Sequence, residues 1–292
     1  MRDRDSARAS TDAPSASPGA PSPADRPAYL DATPLTPPPA FLEAAGAIGV
    51  SFDAGEVERL GRYLAFVLEA NKSFNLTAIE EPSAAWERHI LDALTLLPVL
   101  AEATPEAEGE PLCLIDVGSG AGLPGIPLAI ARPDVRVTLL DATAKKCDFL
   151  RACALELGLS NVEVVCARAE QAGQDRGART AGGRAGALRD AYDIVVARAV
   201  GRLATLAELT VPFARVGALV ALVKGEKADE ELAEAKQALH MLHAAHAGTI
   251  QTPTGRIVVL EKVRATPKIY PRRDGEPKRS PLGVEAARKR TP

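Results

Sequence analysis

Hydrophobic and polar positions change rhythm three times along this chain. The first forty residues show no apolar period. From about Phe41 to Leu100 the spacing is helical: Val57, Leu60, Leu64, Val67 and Leu68 share one face, and Asp53 stands as a candidate N-cap. A polar turn, Asn71 to Thr77, then leads into a second helical stretch containing Arg88-His89-Ile-Leu-Asp92. Taken alone, Arg88 and Asp92 have the four-residue spacing of a surface ion pair, and Asn75 suits a helix cap. From residue 112 onward, short apolar runs at 112–117, 135–140, 161–167, 194–197 and 218–223 alternate with helical stretches at 144–157, 203–214 and 226–247. A late strand at 257–263, paired with 249–252 as an antiparallel hairpin, closes the series. This alternation predicts an α/β domain over 111–263, a mostly parallel sheet covered on both faces, with a late antiparallel strand. A small helical region, 41–110, precedes it.

In such a sheet, ligands collect at the carboxyl ends of the strands. Asp116, Asp141, Arg168, Arg198 and Lys224 each end or directly follow a predicted strand. The run Asp116-Val-Gly118-Ser-Gly120-Ala-Gly122-Leu123-Pro-Gly125 is a strand turning through glycines into a helix. That geometry brings a backbone, and the partial positive charge of a helix N-terminus, close to a nucleotide-type cofactor. Two frames compete here. Gly120-x-Gly122-x-x-Gly125 fits the dinucleotide fingerprint, but Gly118 and Ser119 then intervene between strand and first glycine. The frame Asp-x-Gly-x-Gly-x-Gly resembles motif I of the S-adenosylmethionine (SAM) methyltransferases, and it explains Asp116 and all three alternating glycines. Asp141, at the end of the second strand, suits a ribose in either case.

Composition narrows the remainder. Hydrophobic residues make up 46% of the chain, enough for a core, while a net charge of −3 leaves any nucleic-acid contact to local patches. Residues 1–40 hold nine of the 23 prolines and read as a disordered Pro/Ala/Ser-rich tail. Ala172 to Ala191, with five glycines and four arginines, reads as a mobile insertion. Residues 264–292 carry nine Lys or Arg against three acids and read as a basic, extended tail suited to a phosphate backbone or to solubility. Four cysteines without a C-x-x-C pair imply a reducing, cytoplasmic setting, and no apolar run is long enough to cross a membrane. His240, His243 and His246 fall on one predicted helix, but a zinc site wants its ligands converging on one face, and no metal is predicted.

The ordered set Asn75-Leu-Thr77, Arg88-His89-Ile-Leu-Asp92, Asp116 to Pro127, Asp141 with Lys145-Lys146, Arg168-Ala169-Glu170, Arg198-Ala199 and Lys224-Gly225 resembles the bacterial small-subunit rRNA guanine-N7 methyltransferases. These are the RsmG family, also called glucose-inhibited division protein B. The match spans roughly 41–281, and the basic ending from Thr266 through Pro281-Leu282 resembles its longer members. The resemblance implies a Rossmann-like SAM-dependent methyltransferase fold, SAM as cofactor, and 16S rRNA as partner, within the small ribosomal subunit or its precursor. It implies cofactor contacts from Asp116, Gly118, Gly120, Gly122 and Leu123, ribose binding by Asp141, and adenine contacts from Ala169 and Glu170. Arg198 is implied as a cofactor-pocket or phosphate-positioning group. Arg88, His89 and Lys224 are further positioning candidates on the RNA side, no general base is assigned, and a monomer is expected. The Asn/Asp-Pro-Pro-aromatic motif of adenine-N6 enzymes is absent after the fourth strand, where Val196-Ala-Arg198-Ala199 stands.

Overall fold

The computed structural model describes residues 26–180, 183–198 and 201–283. The first 25 residues of the expected N-terminal tail, Gly182 of the insertion, Ala199 of the Arg198-Ala199 pair and residues 284–292 of the basic tail lie outside the described residues. The helical region comprises α1 (Pro39–Ala47), α2 (Glu56–Asn71), α3 (Pro82–Ala85), α4 (Asp92–Leu94) and α5 (Leu97–Glu102). A π-wound turn, Trp86–Leu91, joins α3 to α4. The sheet domain then runs β1 (Cys113–Val117), α6 (Gly125–Ala131), β2 (Arg136–Asp141), α7 (Ala144–Glu156), β3 (Val162–Cys166) and α8 (Ala169–Ala172). A small hairpin, β4 (Ala178–Thr180) and β5 (Gly183–Ala185), precedes β6 (Tyr192–Arg198) and α9 (Leu203–Thr210). β7 (Ala214–Lys224), α10 (Ala228–Leu242), β8 (Ala244–Thr252), β9 (Gly255–Lys262) and α11 (Glu276–Arg279) complete it.

The seven-stranded sheet has the order β3-β2-β1-β6-β7-β9-β8. β3, β2, β1, β6 and β7 are mutually parallel, and β9 runs antiparallel to both β7 and β8. This is the expected doubly wound sheet with its late antiparallel strand. Consecutive strand residues serve opposite faces: Leu114 packs under α6, α7 and the helical region, whereas Ile115 packs under α9 and α10. Because the chain leaves β1 for β2 on one side and enters β6 on the other, a crevice opens between the carboxyl ends of β1 and β6.

Several expectations are corrected. Residues 26–40 are not all tail: Tyr29 stacks against Phe149 with ring centroids 5.3 Å apart, Leu30 is buried, and Leu35 N–H donates to Gly61 O at 3.1 Å. A Cβ on Gly61 would lie 2.2 Å from Leu35 O, so that glycine admits the N-terminal segment onto α2. Two apolar side chains are enough to anchor a proline-rich stretch that composition alone assigns to solvent. The helical region shares its core with α6. Gly55, not Asp53, is the N-cap of α2, and Asn71, not Asn75, closes the following turn by accepting from Leu76 and Thr77 N–H at 2.8 and 3.0 Å. α10 ends at Leu242 with His243 left-handed, so His246 lies on β8, because the strand begins earlier than its apolar residues show. Arg189, expected in a mobile loop, is buried.

The basic tail is likewise not extended into solvent over residues 264–283. It folds back as a strap across α8 and α9, burying Tyr270 and Leu282. Arg272 supplies the charge that makes this possible. Its backbone N–H and Nε reach Glu208 Oε1 at 2.9 and 2.8 Å, and its terminal nitrogen reaches Oε2 at 2.6 Å. Glu208 is fully buried within α9, where an ionised carboxylate requires such a partner.

Candidate cofactor site

The glycine loop after β1 is built from backbone bonds. Gly118 and Ser119 N–H both donate to Leu140 O, at 2.8 and 3.0 Å, so the loop is bonded to the end of β2. Ser119 Oγ donates to Asp116 O at 2.8 Å, and Gly125 N–H, the first residue of α6, donates to Asp116 Oδ2 at 2.9 Å. The glycines serve different ends. Gly118, Gly120 and Gly122 all have left-handed backbones, with φ of 77°, 59° and 99°. A Cβ on Gly122 would lie 2.6 Å from Ile126 Cδ1, and one on Gly125 would lie 2.3 Å from Leu139 Cδ2. A Cβ on Gly120 would meet only Gly118 O, at 3.9 Å. Gly122 and Gly125 are therefore packing glycines, and Gly120 is where the backbone stays open to a ligand.

Two carboxylates flank that opening. Asp141 accepts Gly120 N–H on Oδ2 at 3.0 Å and Thr143 N–H on Oδ1 at 2.8 Å. Each oxygen keeps further acceptor capacity, which suits the two hydroxyls of a ribose. Asp116 is fully buried, and its Oδ1 has no hydrogen-bond partner among the described residues. Burial pushes the Asp116 carboxyl up to about 7, against smaller lowering effects from the Gly125 amide, Arg198 and Ser119. An orphaned buried carboxylate oxygen under a glycine loop fits a cationic ligand such as SAM, whose sulfonium and amino groups favour the ionised form.

The other predicted residues divide into two groups. Arg198, Arg88 and His89 meet in one cluster. The Arg198 guanidinium donates to Arg88 O at 2.8 Å and Asp92 Oδ2 at 3.2 Å, and lies 3.4 Å from His89 Nδ1. Asp92 also accepts Thr254 Oγ1, from the turn between β8 and β9. The expected Arg88–Asp92 pair is thus replaced: the π-wound turn shifts the register, Arg88 stays exposed, and Asp92 turns inward to Arg198. His89 Nε2 lies 2.8 Å from Thr77 Oγ1, and burial beside Arg198 pushes its pKa down to about 4, so the ring is neutral near pH 7.

Lys224 and Glu170 lie outside that cluster and are engaged elsewhere. Lys224 Nζ donates to Gly201 O and pairs with Glu231 at 2.7 Å, so its charge is already met. Glu170 Oε1 accepts Gly275 N–H at 2.8 Å, which ties the expected adenine wall to the strap. Leu123 has its side chain buried in the core, so any contact it makes with a ligand is through its backbone. Sequence reasoning missed Tyr63, a buried α2 residue whose hydroxyl donates to Ala121 O at 2.9 Å and steadies the loop, and it missed Thr254. The only sequence signal for Tyr63 is a polar-tipped aromatic within an apolar helix face.

Comparison with known proteins gives the family. Residues 56–256 match the family described as GidB, rRNA small subunit methyltransferase G. Ribosomal RNA small subunit methyltransferase G of Sorangium cellulosum is 51% identical over 240 residues, covering 82% of this chain and 94% of that protein. The protein of that name from Pelotomaculum thermopropionicum is 41% identical, covering 82% and 96%. Among solved structures, a SAM-dependent methyltransferase from Aquifex aeolicus aligns over 67% of this chain and 98% of that one, with 16% identity and a TM-score of 0.45. On the first three of these matches, the chain belongs to the rRNA small subunit methyltransferase G (GidB) family.

Proposed function

We propose that this protein methylates N7 of a guanine in small-subunit (16S) ribosomal RNA and that it does so by positioning, without a general base. The family gives the reaction class, SAM-dependent methylation of small-subunit rRNA. The acceptor atom and the residue roles are inferred. The observation that carries the reading is the pairing of an orphaned Asp116 oxygen with an open Gly120 backbone, beside Asp141 at the end of β2.

Bound SAM supplies an electrophilic methyl group on a sulfonium sulfur. Guanine N7 has a lone pair and no proton, so the displacement forms the N–C bond, breaks the C–S bond and leaves nothing for a base to remove. The side chains near the cleft agree with that economy. His89 is neutral but spends its ring nitrogens on Thr77 and the Arg88–Arg198 cluster. Asp116 is buried beneath the loop, and Asp141 is engaged by two amides. Asp141 holds the ribose, Ala169 and Glu170 border the adenine, and Gly120, between the left-handed Gly118 and the packed Gly122, admits the cofactor. Arg198, fixed by Asp92, stands at the carboxyl end of β6, where the base and methyl must meet in near-attack geometry. Arg88 remains exposed beside it for a phosphate contact.

No helix among the described residues is long and apolar enough to cross a membrane. Small ribosomal subunits from a deletion strain, incubated with the protein and labelled SAM, test the reading by base-resolved mapping. The label should appear on N7 of one guanine; label on another atom, or on several bases, would refute it.

A further inference from the structure

The segment after β3 has little structure of its own, since α8 is a single turn. Its partners come from far along the chain. Glu170 Oε1 accepts the N–H of Gly275, 105 residues on. Gln171 donates to Asp274 Oδ2 at 2.6 Å, and Arg168 Nε lies 3.5 Å from the same carboxylate. Gln174 donates to Pro271 O at 2.8 Å and Lys268 O at 3.2 Å. Gly173 packs so closely on Pro271 that a Cβ would lie 2.9 Å from its ring. The buried Arg189 guanidinium donates to Gly173 O, Tyr270 O and Thr266 O at 2.7, 2.6 and 2.7 Å, joining the two segments from below. The strap is in turn fixed to α9 by Arg272 on the buried Glu208 and by Thr205 Oγ1 on Pro277 O at 3.1 Å.

We infer that the strap over residues 266–276 is the outer wall of the cofactor's adenine subsite, and that Arg272 is its positioning residue. The inference rests on the reading of Ala169 and Glu170 as the adenine border. A one-turn helix does not hold its own shape in water, so its conformation is set by what it is bonded to. Nearly every polar side chain between Arg168 and Gln174 is bonded to the strap, and the strap's place is set by the Arg272–Glu208 pair. A tail that only grips phosphates or confers solubility would leave these groups free. Because the subsite holds the cofactor equally before and during transfer, loosening it weakens binding and spares the saturated rate.

The test uses the full chain with two ligands, S-adenosylhomocysteine and 5′-methylthioadenosine, the second lacking the amino-acid end. Arg272→Ala strands Glu208 in the interior and frees the strap. Asp274→Ala removes the Arg168 and Gln171 contacts from the exposed side without emptying a buried position. Calorimetry should show Arg272→Ala weakening both ligands by about tenfold or more, and Asp274→Ala by roughly threefold. Arg272→Lys should recover part of the loss. Single-turnover methylation at saturating SAM should stay within about twofold of the parent rate. If Arg272→Ala does not fold, Asp274→Ala and Arg272→Lys decide the matter. Folded strap variants with parental affinity for both ligands would overturn the inference. Ala169→Phe separates the strap's role from the placement of the adenine border, because it fills that border directly. If it abolishes methylthioadenosine binding while the strap variants do not weaken it, only the role of the strap falls. If it leaves that binding intact, the adenine border itself is misplaced and the strap inference falls with it.

Discussion

The two segments proposed to border the cofactor are assembled in opposite ways. The loop from Gly118 to Gly125 is held mainly by groups between Asp116 and Asp141: the Leu140 carbonyl, the Asp116 and Asp141 carboxylates, and its own turns. The wall from Arg168 to Gln174 is held by the strap, about a hundred residues later in the chain. The first wall is sequence-local, and its own backbone bonds fix it. The second exists only when a distant segment has docked. A nucleotide-type ligand seated between them joins a preformed surface to a conditional one, so perturbations of the two walls should have different signatures.

The largest effect is expected at Gly125. A valine there would drive a side chain into Leu139 and Asp116, and overpacking of that kind costs about 1–3 kcal/mol or more. Thermal melting should fall steeply, and a parental melting temperature would show that the first wall is not packed in this way. Next comes removal of the strap. Deleting residues 264–292 leaves Glu208, Gln171, Gln174 and Glu170 without partners, and SAM affinity should drop by about tenfold or more along with stability. Loss of RNA affinity alone, with SAM binding untouched, would show the segment to be an RNA tail after all.

Gly120→Val should have a smaller effect on stability. Its left-handed φ costs about 1–2 kcal/mol with a side chain, but the Cβ meets no neighbour, so the protein folds. Its SAM affinity should nevertheless collapse, because that Cβ enters the open side of the loop. Calorimetry on the folded variant decides between that outcome and an indifferent loop position.

The smallest effect is a pair of opposed pH slopes. Asp116 titrates near 7 in the folded chain against 3.8 in the unfolded one, so its contribution to stability is full below about pH 4 and is lost as pH rises through about 7. His89 titrates near 4 against 6.5, so its contribution is full above about pH 6.5 and is lost as pH falls through about 4. In urea melts between these limits, Asp116→Asn should flatten a fall in stability with rising pH, and His89→Gln should flatten a fall with dropping pH. Identical slopes in both variants would contradict the assignment of either burial.

How far the sequence carries follows the same division. Apolar periodicity locates β1, β2, β6, β7 and β9 because these strands are largely buried, and β3 through its run of valines; of β8 it shows only 249–252, because most of that strand is exposed. The glycine frame locates the first wall because Asp116, the three alternating glycines and Asp141 all lie in one βαβ unit. Arg198 and Arg88 stand out in the sequence, but their meeting through Asp92 does not, since a π-wound turn does not show in four-residue spacing. The strap reads as a tail because nine basic residues outweigh Tyr270 and Leu282 in composition, while in the structure those two bury and Arg272 finds Glu208. Charge counts do not say which cation has an interior partner.

If the site acts through binding and placement, with no base, its chemical step has nothing to titrate near neutrality. Single-turnover methylation of small ribosomal subunits at saturating SAM, from mildly acidic to mildly alkaline pH, reads this out beside SAM affinity over the same range. The saturated rate should be flat, while affinity weakens below about pH 7 as the buried Asp116 carboxyl takes up its proton and favours a cationic ligand less. A saturated rate that falls on acidification with that midpoint, and no longer does so in Asp116→Asn, would contradict placement alone, because the carboxylate would then be removing a proton that guanine N7 does not carry.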